Sequence, residues 1–152
     1  MIDAIRQFLE ENLAPRGQKP EYDERQLAAA ALLIEVMAAD YHEGESERAA
    51  VVRAVSSLFG LTPQDSERLV VLAQEEVGHA TDDYEFTARI NRGFSAQQKE
   101  ALIEALWQVA YADGDIDMYE RHYLSKLAEL LYIPQSIFIA AKLRVCGMTG
   151  PG

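Results

Sequence analysis

Apolar residues recur three and four positions apart along most of the chain, and no window alternates apolar with polar in the manner of a half-buried strand. A chain patterned this way can bury its apolar stripes only by packing helix on helix, so the expected fold class is all-α with about seven or eight helices. Ile2, Ile5, Phe8 and Leu9 predict a first helix from Ile2 to Leu13, and the prolines and glycine of residues 14–22 predict a loop. Asp23 and Gln26 form a capping-box pair at the head of the next helix, whose inward face reads Leu27, Ala30, Ala31, Ile34, Met37 and Ala38. A third helix carries Val51, Val52, Val55 and Leu58 and stops at Gly60.

Further along, Thr62-Pro63 opens a helix to about Val77 with Leu69, Leu72, Ala73 and Val77 inward. Thr81 heads a short helix through Phe86 and Ile90. Ser95 with Gln98, and Asp117 with Glu120, are two more capping boxes ahead of the runs Leu102–Ala110 and Leu124–Leu131. Pro134 starts the last helix, through Ile137, Phe138, Ala141 and Val145. The organisation is then an N-terminal helix and linker (1–22), a helical domain (23–146) and a tail (147–152). Trp107, Phe86, Phe94 and Tyr111 fall at core spacing.

Two parts of this pattern are copies of one another. Val36 matches Val109, Asp40 matches Asp113, Glu47 matches Glu120 and Arg48 matches Arg121, all at one spacing of 73 residues. After a single-residue gap LFGLTPQ (Leu58 to Gln64) resembles LLYIPQ (Leu130 to Gln135). Each copy reads apolar helix, acid, short loop, capping position, Glu-Arg, apolar helix, which predicts two related helical hairpins in one domain.

Charge follows the same duplication. The chain of 152 residues has 25 acids and 14 Lys or Arg, a formal charge of -11. Asp40, Glu43, Glu45 and Glu47 in one interhelix segment, and Asp113, Asp115, Asp117 and Glu120 in the other, hold much of the excess, with no Lys or Arg among them. Two carboxylates 4 Å apart repel by about 1 kcal/mol in water and about 4 at an effective dielectric near 20. Helix N-terminal dipoles, a cation or a basic partner must offset this. The same balance argues against nucleic acid and anionic membrane as partners. The longest apolar run, Leu27 to Ile34, is far short of the ~20 residues of a spanning helix. The start shows no signal-peptide pattern, and Cys146 has no second cysteine to pair with. The expectation is a cytoplasmic chain without a transmembrane segment.

AYADGDIDMYE (Ala110 to Glu120) and MAADYHEGESE (Met37 to Glu47) resemble the paired A-D-G-x-[IV]-x-x-x-E segments of the tellurite-resistance protein B (TerB) family. The stretches Tyr84 to Asp117 and Leu130 to Val145 are similar to the family's stand-alone bacterial branch, so the likeness spans about Gln26 to Val145. It implies an all-helical fold of two related repeats with acidic loops, an association with tellurite resistance and stress, and kinship with domains at the front of DnaJ-like co-chaperones. It brings no catalytic activity. By position Asp40, Glu47, Asp113 and Glu120 match the pattern's acids. The first copy departs from it, with Tyr41 in place of the glycine and Glu43 in place of the aliphatic residue.

Three readings of the acids follow. Asp40, Glu47, Asp113, Asp115, Asp117 and Glu120 form a hard-cation set for Ca, Mg or Mn, since carboxylates at alternate loop positions plus one from the next helix converge on such ions. The second loop is not an EF-hand, because Met118 and Leu124 stand where that loop wants Gly and Glu. Alternatively the acids only cap helices, and the chain is a protein-interaction or co-chaperone-like accessory domain. The third reading is a partner with a basic surface. Enzymatic chemistry is not expected: no nucleophile elbow, phosphate loop or H-E-x-x-H motif is present. Glu76 and His79 have the E-x-x-H spacing of di-iron bundles but lack the second motif that such a site requires. His42, opposite Asp115, is a further candidate ligand, and His122 is expected at the surface.

Overall fold

The structure describes residues 23–38, 45–79, 84–112 and 118–147, with Gly114 and Ile116, and in this computed structural model they form seven α-helices. These are α1 (Glu24–Ala38), α2 (Glu45–Phe59), α3 (Pro63–His79), α4 (Tyr84–Gly93), α5 (Ala96–Ala110), α6 (Met118–Leu130) and α7 (Gln135–Gly147). No strand occurs among the described residues. The expected helix over Ile2 to Leu13, the Thr81 start and the Asp117 half of the third capping box lie outside them.

Local chemistry places the ends where sequence expects them. At the head of α1 the Gln26 amide donates to Asp23 Oδ1 at 2.9 Å, and the Asp23 amide donates to Gln26 Oε1 at 3.1 Å. Ser95 and Gln98 make the same reciprocal pair ahead of α5. The Asp65 amide donates to Thr62 Oγ1 at the start of α3. Each box satisfies donors that a helix start leaves unpaired.

The end of α2 is closed by Gly60 at φ +64, with the Leu61 amide reaching back to the Ser56 carbonyl. That is the left-handed turn glycine favours. α6 ends in the same six-residue turn: the Ile133 amide bonds the Ala128 carbonyl at 2.9 Å, and Tyr132 bonds the Glu129 carbonyl at 3.0 Å. The left-handed position there is Tyr132, at φ 58.

Packing is organised around α1. The expectation of one inward stripe is corrected here: every residue from Leu27 to Ile34 is buried, so α1 is apolar on all sides, and Ala38 is exposed. A helix hydrophobic all round is stable in water only at the centre of a core. α1 packs against α3, α4, α5 and α2, and more lightly against α6. Ala28, Ala29, Ala30 and Ala31 have no exposed surface, and their small side chains let neighbouring helices come close.

The second copy has the same plan. α5 packs on α7 as α1 packs on α3, and α1 and α5 pack on each other. α2 packs on α5 and α6 on α1, so each second helix crosses to the other copy's first. Trp107 locks α5 to α7: it is fully buried, donates Nε1–H to the Phe138 carbonyl at 3.2 Å and lies 4.9 Å from the Phe138 ring. Phe94, Tyr111, Val52, Leu58, Val77 and Ile137 are half-buried at the margin of the core. Where α4 meets α1, Arg25 lies across Gly93 and donates Nη1–H to its carbonyl at 3.2 Å. A Cβ on residue 93 would collide with Arg25 Cγ and Cδ. No described helix is long and apolar enough to cross a membrane.

Two outcomes follow from this packing. Leu33→Ala removes a fully buried side chain from the central helix, and chemical denaturation is expected to show a loss of about 2–5 kcal/mol. Burial raises the pKa of Asp23, but hydrogen bonds from the Gln26 backbone and from Arg25, with the Arg25 charge, outweigh it and hold the carboxyl below its ordinary 3.8. A depressed carboxylate stabilises fully above its unfolded value and loses that contribution as pH falls through the folded one. Asn caps about as well as Asp, so the advantage of wild type over Asp23→Asn should be present above 3.8 and vanish below it in acid-titrated melts.

Candidate functional site

Glu47 and Glu120 occupy the first turns of α2 and α6, the same place in the two copies. Both are buried, each with 3% of its surface exposed. Glutamate is almost never that deep unless paired, because an isolated carboxylate loses its hydration there. Each is engaged by a partner through hydrogen bonding or charge. The amide-rich start of a helix favours a negative side chain, which explains why an acid is tolerated at this position. The sequence identified these two as caps or ligands; it did not reveal that they are buried.

One cross-copy contact joins α6 to the end of α1. The Tyr123 hydroxyl, in the second turn of α6, donates to Glu35 Oε2 at 3.4 Å, in the last turn of α1. The first two turns of α6 therefore lie beside the last turn of α1. Arg48, next to Glu47, bonds both carboxylate oxygens of Glu67 on α3, at 2.8 and 3.0 Å. Its copy Arg121 faces solvent. The first corner is thus tied to α3 by charge.

Of the six expected metal-site residues, the structure describes Glu47 and Glu120. Asp40, Asp113, Asp115 and Asp117 lie outside the described residues, as does His42. Among the described residues no three His, Cys, Asp or Glu side chains are grouped as a metal set. Glu76 is accounted for differently: it lies 3.8 Å from Arg89, which also pairs with Glu85 at 2.6 Å, and His79 is exposed. Glu76 thus takes part in an ion pair between α3 and α4. His122 is exposed, as expected. Burial raises the pKa of Cys146, against the lowering effect of Lys142 and Arg121.

Residues 26–143 match the family described as Tellurite resistance protein TerB. The chain belongs to the TerB family. The match runs from the capping box of α1 into α7, so it includes both copies and both acidic segments. No curated protein and no solved structure matches the chain.

Within this TerB domain the buried glutamates are expected to support the fold directly. Glu47→Ala and Glu120→Ala should each lower unfolding free energy by about 1–3 kcal/mol, the range for stranding a buried partner. Glu75→Ala, on the exposed side of α3, should stay within about 0.5 kcal/mol of wild type. Equal effects at all three positions in urea melts would refute a special role for the buried pair.

Proposed function

We propose that this TerB domain is a non-enzymatic, tellurite-resistance-associated module whose two acidic interhelix segments together take a divalent cation, Ca, Mg or Mn. The supporting observation is the repeated burial of Glu47 and Glu120. Each begins a helix, and each follows a segment carrying three more carboxylates. Hard cations prefer such all-oxygen donor sets.

Neutralisation is the mechanism. Carboxylates collected at the turns repel one another. A cation that binds only the folded arrangement converts that repulsion into attraction and stiffens both hairpins. Asp40, Glu47, Asp113 and Glu120 would be the principal ligands, with Asp115 and Asp117 as further ligands or caps. The neighbouring α1 and α6 would transmit the change, since Tyr123 already bridges them. A basic protein surface offers the same charge in another form and is the competing occupant.

Calorimetric titration of the full chain with Ca²⁺, Mg²⁺, Mn²⁺ and Zn²⁺ tests this. Saturable binding of at least one of the first three ions is expected, and it should disappear in Asp40→Ala/Asp113→Ala. At about 100 times the dissociation constant the ion should raise unfolding free energy by about 2.7 kcal/mol. No heat from any of these ions, together with the same Glu120→Gln penalty with and without cation, would leave the acids as helix caps only.

A further inference from the structure

Among the described residues one helix lacks a copy. α1, α2 and α3 repeat as α5, α6 and α7, and α4 stands between the two sets. α4 leads directly into the second copy, with only Phe94 and Ser95 between it and α5. Yet it packs on α1 and α6, one helix from each copy. It also bonds α6, since Asn91 donates Nδ2–H to the Leu130 carbonyl at 2.9 Å. The helices equivalent to α1 and α6 are α5 and α2.

Those two helices border an open groove of about 230 Å³. Its walls include Ala54, Ser57 and Leu58 from α2 and Ala101, Ala105 and Gln108 from α5. Each wall matches a surface that α4 approaches in the other half. Ala101 is the copy of Ala28, but Ala28 has no exposed surface and Ala101 is exposed. Counted back from the matching turn residues Gly60 and Tyr132, Ser57 and Leu58 are the copies of Glu129 and Leu130. Leu130 is the residue whose carbonyl Asn91 of α4 bonds. The groove falls short of the ~300–1,000 Å³ of ordinary small-molecule sites. Small side chains in its walls admit another helix at close range. Glu104, also in its lining, has its charge met by Arg144 of α7 at 2.9 Å.

We propose that residues 2–13 of the same chain dock in this groove as the counterpart of α4. They lie outside the described residues, and their sequence is patterned as an amphipathic helix with Ile2, Ile5, Phe8 and Leu9 on one side. They precede α1 as α4 precedes α5. The connection reaches. Arg25, in the first turn of α1, donates to the Gly93 carbonyl at 3.2 Å, so the start of α1 lies beside the end of α4 and hence near the head of α5. Gln108, at the far end of the groove, is about 18 Å along α5 from Ala96, and residues 14–22 can span about 30 Å. The chain then enters the groove at the head of α5, with Leu13 nearest Ala101 and Ile2 towards Gln108. α4 is placed the same way, its end at the head of α1.

Hydrogen exchange of the full chain, read by mass spectrometry, tests this. A helix this short is marginal alone in water, so slow exchange over residues 2–13 requires a surface to dock on. Those amides should exchange at least about tenfold more slowly than in the isolated peptide of the same sequence. Ala101→Glu puts a charge in the groove at an exposed position. It should return residues 2–13 to the peptide's rate and leave the protection of α1 unchanged. Val71→Glu, a comparable change at an exposed site on α3, should leave both unchanged. Peptide-like rates in the wild type, or protection that survives Ala101→Glu, would overturn the proposal. So would protection that fades on dilution while sedimentation shows a dimer, which would put the segment on a second copy of the chain.

Discussion

A helix with no polar side must be enclosed, and that requirement organises this domain. α1 is buried from Leu27 through Ile34, with four consecutive alanines at its middle. Exposing one such face would leave a broad apolar patch in water, at about 25 cal/mol per Å². α2, α3, α4 and α5 all pack against α1. Alanine at the contacts keeps the approach close and loses little side-chain entropy on burial. The other helices can then be ordinary amphipathic ones, because the enclosed member supplies the surface that they cover.

The duplication is exact enough to fix the plan and loose enough to differentiate the two halves. α1 and α5 are equivalent, yet α4 covers α1 and α5 keeps Ala101 and Gln108 at the surface. Where α5 meets α7 the second half packs Trp107 on Phe138, and the first half instead buries Ile34 in α1 and Ser66 in α3. Ser66 turns its hydroxyl back to the Thr62 carbonyl at 2.9 Å. The first copy therefore closes with small side chains and backbone-directed hydrogen bonds, and the second with an aromatic pair. The same shift appears in the two turns, glycine in one and tyrosine in the other.

Helix ends were legible in the sequence because caps are local: Asp23 with Gln26, Thr62 with Pro63, Ser95 with Gln98 and Gly60 act within a few residues of themselves. The fold class was legible for the same reason, since a 3.6-residue period appears within any one helix. All-round burial of α1 was not, because alanine is compatible with core and surface alike and only the neighbours decide. The acids were legible as a charge pattern, but the depth of Glu47 and Glu120 depends on helices far away in sequence. The groove between α2 and α5 was least legible. It joins residues 54–58 to 101–108, and its one sequence trace, Ala28 matching Ala101, does not tell the covered alanine from the open one.

The enclosed helix also bears on how charge at the corners is felt. α1 leads into the first acidic segment, and α6, which follows the second, is bonded to α1 through Tyr123 and Glu35. Under the cation proposal, repulsion between the two segments would bear on the end of the element to which the other helices are anchored. A rigid core does not deform smoothly under such a load, because close-packed side chains have few alternative arrangements. Under that proposal such a load would be felt at the helix starts, where Glu47 and Glu120 are buried. Neutralising charge there would relieve the corner and leave the α1–α3 and α5–α7 contacts in place, so the expected response is a stiffer pair of hairpins on an unchanged core.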